Sequence, residues 1–355
     1  MLDREASLQR LQQTADVGTL ALWARVSEAC SNASVELPVP FLLKSASKRQ
    51  SAHPVFGFVH VTKAGGGSVK TMLADMSKRR GWPLSHGGEP AHNNTNLFAV
   101  QPHAARSRNR VIVGSGTLCN LHLADRQALV LTTLRPPIDR AISQYNYACA
   151  CNAEHKEKWN NCKRSVSEFA KFEASTLINT LLASKCVAGG ASLAKRAEEC
   201  LAALTSEKAS ADMEQLLLEL LQTQLRAPCV SVLPTYELAR FLPMLKARWR
   251  LFDGFDLGAK PLHINALASN TCSTPGSTNS SSQVNASDPD IRALVEEEVA
   301  RSSLVRTSHR LWRWFDENKK ALMRRQAAPC IPSGALRPLE LCLLRRINST
   351  ACAMR

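Results

Sequence analysis

Aromatic residues are scarce in this chain: Phe, Tyr and Trp make up 5% of 355 positions. No basic stretch is interleaved with aromatic side chains that would stack on bases, which argues against a nucleic-acid partner. No run approaches the roughly 18 apolar residues that a membrane-crossing helix needs. Val17 to Val26 is too short and too interrupted for a signal anchor, so no membrane anchor is visible in this chain. There is no Cys-x2-Cys pair and no second Cys or His pair at ligand spacing, which removes the usual basis for a structural zinc site. Acidic residues are also few, 30 against 45 basic ones, giving a formal charge of +15. Internal repeats are absent.

What remains is a foldable chain. Hydrophobic residues reach 45% and charged ones 21%, enough for a real core and too apolar for a disordered polyelectrolyte. The basic excess draws polyanions: acidic glycans, head groups, nucleic acid or a phosphorylated nucleotide. Sign alone does not choose among them. Twelve cysteines, an even and high count, accompany Asn-x-Ser/Thr acceptors at Asn32, Asn93, Asn279, Asn285 and Asn348. That combination fits disulfides in the oxidising lumen of the secretory pathway. Cys149, Cys151 and Cys162 lie close enough for a local loop, and Cys330, Cys342 and Cys352 stand ready to staple the C-terminus.

Residues 1–50 read as a helix followed by a Pro-containing connector, a stem-like element. From Val55 the texture changes. Val55 to Val61 is a compact apolar run with β-branched residues, a buried strand. It meets Lys63-Ala-Gly-Gly-Gly-Ser68, and a helix follows from about Val69. Residues 81–110 are polar and loop-like. Val111–Val113 is a short strand and Ala128–Leu134 a stronger one, running into a helix from Ile138 to about Tyr147. Residues 165–226 are helical, with Leu216, Leu217, Leu220, Leu221 and Leu225 forming a stripe that reads as core packing. Val230–Leu233 is a further strand, with a helix expected from Tyr236 to about Trp249. Residues 269–287 form a Ser/Thr/Asn-rich loop, and one long helix is predicted over Asp288–Gln326. The alternation predicts one α/β domain over residues 51–326, a P-loop-like three-layer fold with a mainly parallel sheet and helices on both faces. A Cys-containing segment, 327–355, follows it. Ligands of such sheets bind outside the carboxyl ends of the strands.

Two segments carry chemistry. Glycines after a buried strand let the backbone approach a phosphate, and the N–H groups of the next helix face it. Lys63 adds a cation and Ser68 a hydroxyl, around Gly65, Gly66 and Gly67. This is not a Walker A loop, in which the Lys follows the last Gly. A glycine turn also serves simply to turn the chain. The second segment is Leu134-Arg135-Pro-Pro-Ile-Asp-Arg140, with Ser143 eight residues beyond Arg135 on the following helix. A guanidinium at a strand end can fork onto a phosphate, although an Arg there is also an ordinary surface charge.

Together these segments resemble the Golgi carbohydrate sulfotransferases that include the heparan sulfate 2-O and 6-O enzymes. In that family a Pro-Lys-Thr-Gly-Gly-Thr/Ser-Ser-like loop binds the 5′-phosphosulfate of the donor PAPS, 3′-phosphoadenosine 5′-phosphosulfate. A strand ending Leu-Arg-Asp-Pro, with a downstream Ser-x-Tyr, completes the donor site. This chain reads Thr62-Lys63-Ala64-Gly65-Gly66-Gly67-Ser68, then Leu134-Arg135-Pro136-Pro137 with Ser143 and Tyr145 in register. Val232 to Leu238 and Pro261 to Asn265 are similar to later family segments, so the likeness runs over about residues 55–320. It implies that Lys63 and Gly65 to Ser68 hold the phosphosulfate and that Arg135 and Ser143 hold the 3′-phosphate. It also implies a secretory-pathway enzyme with a carbohydrate acceptor and no metal.

Thr62 and Ala64 replace the usual Pro and Thr, and Pro136 replaces Asp. Losing one hydroxyl donor at Ala64 is expected to weaken donor binding by about 0.5–1.5 kcal/mol. A His that many members carry after a Gly is replaced here by Ser115, after Gly114. Cys119-Asn-Leu-His122 is instead similar to the Cys-Gly-Leu-His of the 6-O branch, which makes His122 the favoured general base and, with Lys63, a catalytic candidate. His86 and His103 are further candidates. His60 reads as a packed residue and His309 as a solvent-facing one. Two rival readings stand beside this one: a P-loop nucleotide kinase or NTPase, and a non-catalytic binder of acidic glycans. Nothing in the sequence specifies an oligomeric state.

Overall fold

A computed structural model describes residues 55–86, 111–115, 117, 128–150, 165–182, 209–226, 230–238, 240 and 288–326. Five strands form one sheet: β1 (Val55–Val59), β2 (Leu84–His86), β3 (Val111–Gly114), β4 (Ala128–Leu134) and β5 (Val230–Pro234). Their order is β2-β3-β1-β4-β5 and every pairing is parallel. Phe58 lies opposite Val113 on one side and Leu131 on the other, which fixes the register at the centre.

Side chains alternate across this sheet with a period of two, as pleating demands. Phe56, Phe58, Val111, Val113, Leu131 and Leu233 pack with Val69, Leu73 and Met76 of helix α1 (Gly66–Arg79) on one face. Val59, Ile112, Val130, Val230 and Val232 point to the other face. There they meet α3 (Val166–Leu182), α4 (Ala211–Arg226) and α6 (Ser303–Gln326). Both faces are therefore covered, the three-layer α/β arrangement. The α4 stripe of leucines lies in this core, with Leu221 fully buried. Helix α2 (Pro137–Tyr145) follows β4, passes into a π-helical turn over Asn146–Ala150, and packs beside α3 and α5 (Pro289–Arg301).

Three expectations are corrected here. The 81–110 stretch contains an edge strand, β2, paired with β3. Helix α1 starts at Gly66 rather than Val69, because Gly65 takes the left-handed turn (φ 76°) and the chain becomes helical at once. The long C-terminal helix is two helices, broken where Ser302 turns extended (φ −103°, ψ 120°). The Ser302 N–H donates to Glu298 O at 2.8 Å, closing α5, and its carbonyl accepts from Arg306 N at 2.9 Å, opening α6. Beyond β5 the chain makes a 3-10 turn, Thr235–Glu237.

The readings of residues 1–50, 183–208, 241–249, 261–265, 269–287 and 327–355 lie outside the described residues, as do the five sequons and every cysteine except Cys149. Among the described residues, no helix is long and apolar enough to cross a membrane.

Candidate functional site

The strand order places the site. The connection after β1 leads through α1 toward β2, while the connection after β4 leads the opposite way toward β5. Adjacent parallel strands whose connections diverge leave a crevice at their carboxyl ends, where ligands of open α/β sheets bind. Lys63 follows β1 and Arg135 follows β4. The two segments singled out by sequence thus emerge side by side, and Arg135 Nη1 donates to Lys63 O at 3.2 Å.

The Lys63 turn is held from several sides. Lys63 itself has φ 53°, the only positive φ of a non-glycine residue among those described. Such a backbone costs of order 1–3 kcal/mol and persists only where its surroundings enforce it. One residue earlier, the Thr62 hydroxyl donates to Glu173 Oε2 of α3 at 2.8 Å. One residue later, the Ala64 carbonyl lies 2.9 Å from the Thr235 hydroxyl, which is also 2.8 Å from Leu134 O. Thr235 therefore sits between the Lys63 turn and the end of β4. The Ala64 methyl is fully buried in the main core, so position 64 serves packing here. On the far side of β1, the Thr117 hydroxyl lies within 2.9 Å of Phe58 O and 2.8 Å of Gly114 O, tying the ends of β1 and β3.

The glycines differ in what they do. Gly65 caps α1 with a backbone that side chains avoid, and a Cβ there would approach Thr235 Cγ2 at 2.9 Å. Gly66 lies against His60: an added Cβ would stand 1.9 Å from His60 Cδ2. Gly67 has open space around it. The first turn of α1 contains no acidic residue, so its N-terminal dipole is not neutralised by the chain. Ser68 lies in this turn, half-buried.

The electrostatics follow from burial. The Lys63 ammonium is lowered to about 8, chiefly by desolvation, with Glu173 pulling it up and Arg135 pushing it further down. It lies 3.8 Å from the ring centroid of Tyr147, an exposed residue of the π-helical turn. Burial also lowers Arg135, opposed by Asp139, although a guanidinium stays charged at any physiological pH. His60 is lowered to about 4 by burial and by Lys70 and Lys63, so it is neutral at pH 7 and packs rather than titrates there.

Beneath the turn lies an ion pair that sequence reasoning did not find. Arg140 of α2 and Glu173 of α3 are each 1% exposed, with Arg140 Nε 3.1 Å from Glu173 Oε2. Arg140 Nη2 also donates to the Glu173 carbonyl at 2.8 Å. No local signal announces the pair, because its members stand 33 residues apart and Glu173 lies 111 residues from Thr62.

The other histidines separate clearly. His309 does not face solvent, contrary to expectation: its Nε2 is buried without a hydrogen-bond partner, and burial together with Arg140 and Arg313 lowers it to about 4. His86 ends β2, with β3 between it and β1. His103 and His122 lie outside the described residues. Ser143 is half-buried on α2, in the helix that Arg135 leads into. Among the described residues no cluster of three His, Cys, Asp or Glu could hold a metal ion.

The close fit of Gly66 under His60 yields a test. Gly66→Ala is expected to destabilise the protein by about 1–3 kcal/mol through overpacking. Adding His60→Ala should restore most of that loss. Chemical denaturation of both variants checks it; a double variant no more stable than Gly66→Ala alone would rule out this contact as the cause.

Comparison with family models and with curated proteins returns no match to this chain.

Proposed function

We propose that this protein is a sulfotransferase, moving a sulfuryl group from PAPS to a carbohydrate hydroxyl in the secretory pathway. The observation that supports it most is the meeting of Arg135 with the Lys63 turn at the divergence point between β1 and β4. A donor with phosphates at both the 3′ and 5′ positions of its ribose calls for more than one cation, and Lys63 and Arg135 follow the ends of adjacent strands. The α1 N-terminus, free of acidic residues, suits the 5′-phosphosulfate, and Gly67, with open space around it, suits close backbone approach. Arg135 and Ser143 are assigned to the 3′-phosphate.

In the reaction, the acceptor oxygen attacks sulfur while the bond from sulfur to the bridging phosphate oxygen breaks. The acceptor proton passes to a general base, with His122 the candidate, and the nucleotide product is 3′,5′-ADP. Negative charge grows on the departing oxygen. Lys63 and the N–H groups of Gly65 to Ser68 are its stabilisers, and a partly desolvated ammonium acts more strongly than one in water.

The deciding experiment has two parts. Thermal stabilisation by 3′,5′-ADP but not by ATP with Mg2+ is expected, which a kinase or NTPase would reverse. Radiolabelled PAPS offered with a panel of desulfated glycans should then label at least one acceptor, and His122→Ala should abolish labelling while donor affinity is kept. A wild-type protein that binds acidic glycans yet never transfers sulfate is a binder, and the proposal fails.

A further inference from the structure

We propose that Glu173, locked onto Arg140 in the interior, is the positioning residue of this site: it fixes the Thr62–Lys63 turn and supplies the counter-charge that holds the Lys63 ammonium at the anion pocket. The assignment of an anion pocket rests on the sulfuryl-transfer reading; the positioning role itself rests on geometry.

Three observations carry it. First, Glu173 touches the turn directly, through the Thr62 hydroxyl at 2.8 Å, and the next residue, Lys63, has the strained left-handed backbone. Second, Glu173 is held at two points. Arg140 holds both its carboxylate and its main-chain carbonyl, which ties α2 to α3 directly beneath the turn. Third, the pair is poorly satisfied for a structural device. Arg140 Nη1 and Glu173 Oε1 are buried without hydrogen-bond partners, so apolar side chains of similar size would serve the core at least as well. An ion pair kept in such a place, one residue from a functional cation, is explained by what its carboxylate does for that cation.

The charges acting there are few and opposed. Arg135 and burial disfavour the Lys63 ammonium, and Glu173 favours it. Tyr147 presents its ring face to the ammonium. His60, neutral at pH 7, adds nothing, and Arg140 directs its charge at Glu173. Burial raises the Glu173 carboxyl, countered by Arg140, Thr62 and Lys63.

The test reads Lys63 itself, in full-length protein labelled with 13C at lysine Cε, the Lys63 signal being assigned by its loss in Lys63→Arg. In wild type the signal should titrate near pH 8. In Glu173→Gln the midpoint should fall by about one pH unit or more, as loss of a nearby opposite charge requires, and Glu173→Asp should recover part of it. Because Glu173→Gln strands Arg140, the Glu173→Gln/Arg140→Met double variant is measured alongside. It removes both charges and should fold, still with the lowered midpoint. An unchanged midpoint in a folded double variant overturns the proposal. An unfolded double variant also overturns it, since the pair would then serve the core. Failure of 3′,5′-ADP to bind wild-type protein would instead sink the sulfuryl-transfer reading and leave this titration result standing.

Discussion

Lys63→Ala is expected to lower sulfuryl transfer by about 10²–10³-fold, the usual loss when one preorganised stabiliser of developing charge is removed. The fold should survive it. The Lys63 ammonium is disfavoured by burial, so its removal relieves a desolvation cost. The linkage has a definite sign. Lys63 titrates at about 8 in the folded protein against an ordinary 10.5, so between those values the unfolded chain binds more protons and stability rises with pH. That rise should vanish in Lys63→Ala.

Function runs the other way. The cation is present below about pH 8 and is lost above it, so affinity for 3′,5′-ADP should weaken on the alkaline side in wild type. Lys63→Arg, which stays charged, should not show the alkaline loss even where its fork fits poorly. Calorimetric titration with 3′,5′-ADP across a pH series checks all three proteins. If Lys63→Ala transfers within about threefold of wild type, Lys63 stabilises nothing in the transition state.

Much of this architecture was legible in the sequence because buried parallel strands are short, continuous and apolar. Ala128–Leu134 matches β4 end for end, and Val55 to Val61 overruns β1 by two residues that begin the loop. The face assignment follows from alternation alone once the strands are known. What escaped has physical reasons. β2 is three residues long, Leu84-Ser-His86, and draws its ordering from β3 rather than from any apolar run of its own. The break at Ser302 involves neither Gly nor Pro; a buried serine whose main chain closes one helix and opens the next looks like any helix interior residue. His309 reads as solvated because it stands among Arg306, Arg310 and Arg313 of a basic helix. In the fold, α6 packs against α3 and turns His309 inward toward Arg140. Its neighbour Ser308 is fully buried as well, so this stretch of a basic helix presents a polar inner face that composition conceals. Glu173 escapes notice for the same kind of reason: one of the carboxylates on a largely buried helix gives no hint of partners on α2 and in the Lys63 turn.

Arg140→Met is expected to be the most destabilising of these single changes, by about 3–5 kcal/mol, because it leaves the Glu173 carboxylate buried and unpaired. No discount for solvent screening applies, since both side chains are 1% exposed. In a domain of this size that corresponds to a fall in Tm of roughly 10 °C, readable by calorimetry. The Arg140→Met/Glu173→Gln double variant should regain most of the loss, since a buried pair replaced as a unit by uncharged side chains is often neutral or better. Stability and function should therefore part company in the double variant: folded nearly as well as wild type, yet with its Lys63 ammonium weakened and donor affinity reduced at neutral pH. If instead Arg140→Met alone costs less than about 1 kcal/mol, the carboxylate is neutralised some other way, and the pair does not govern the charge beneath the Lys63 turn.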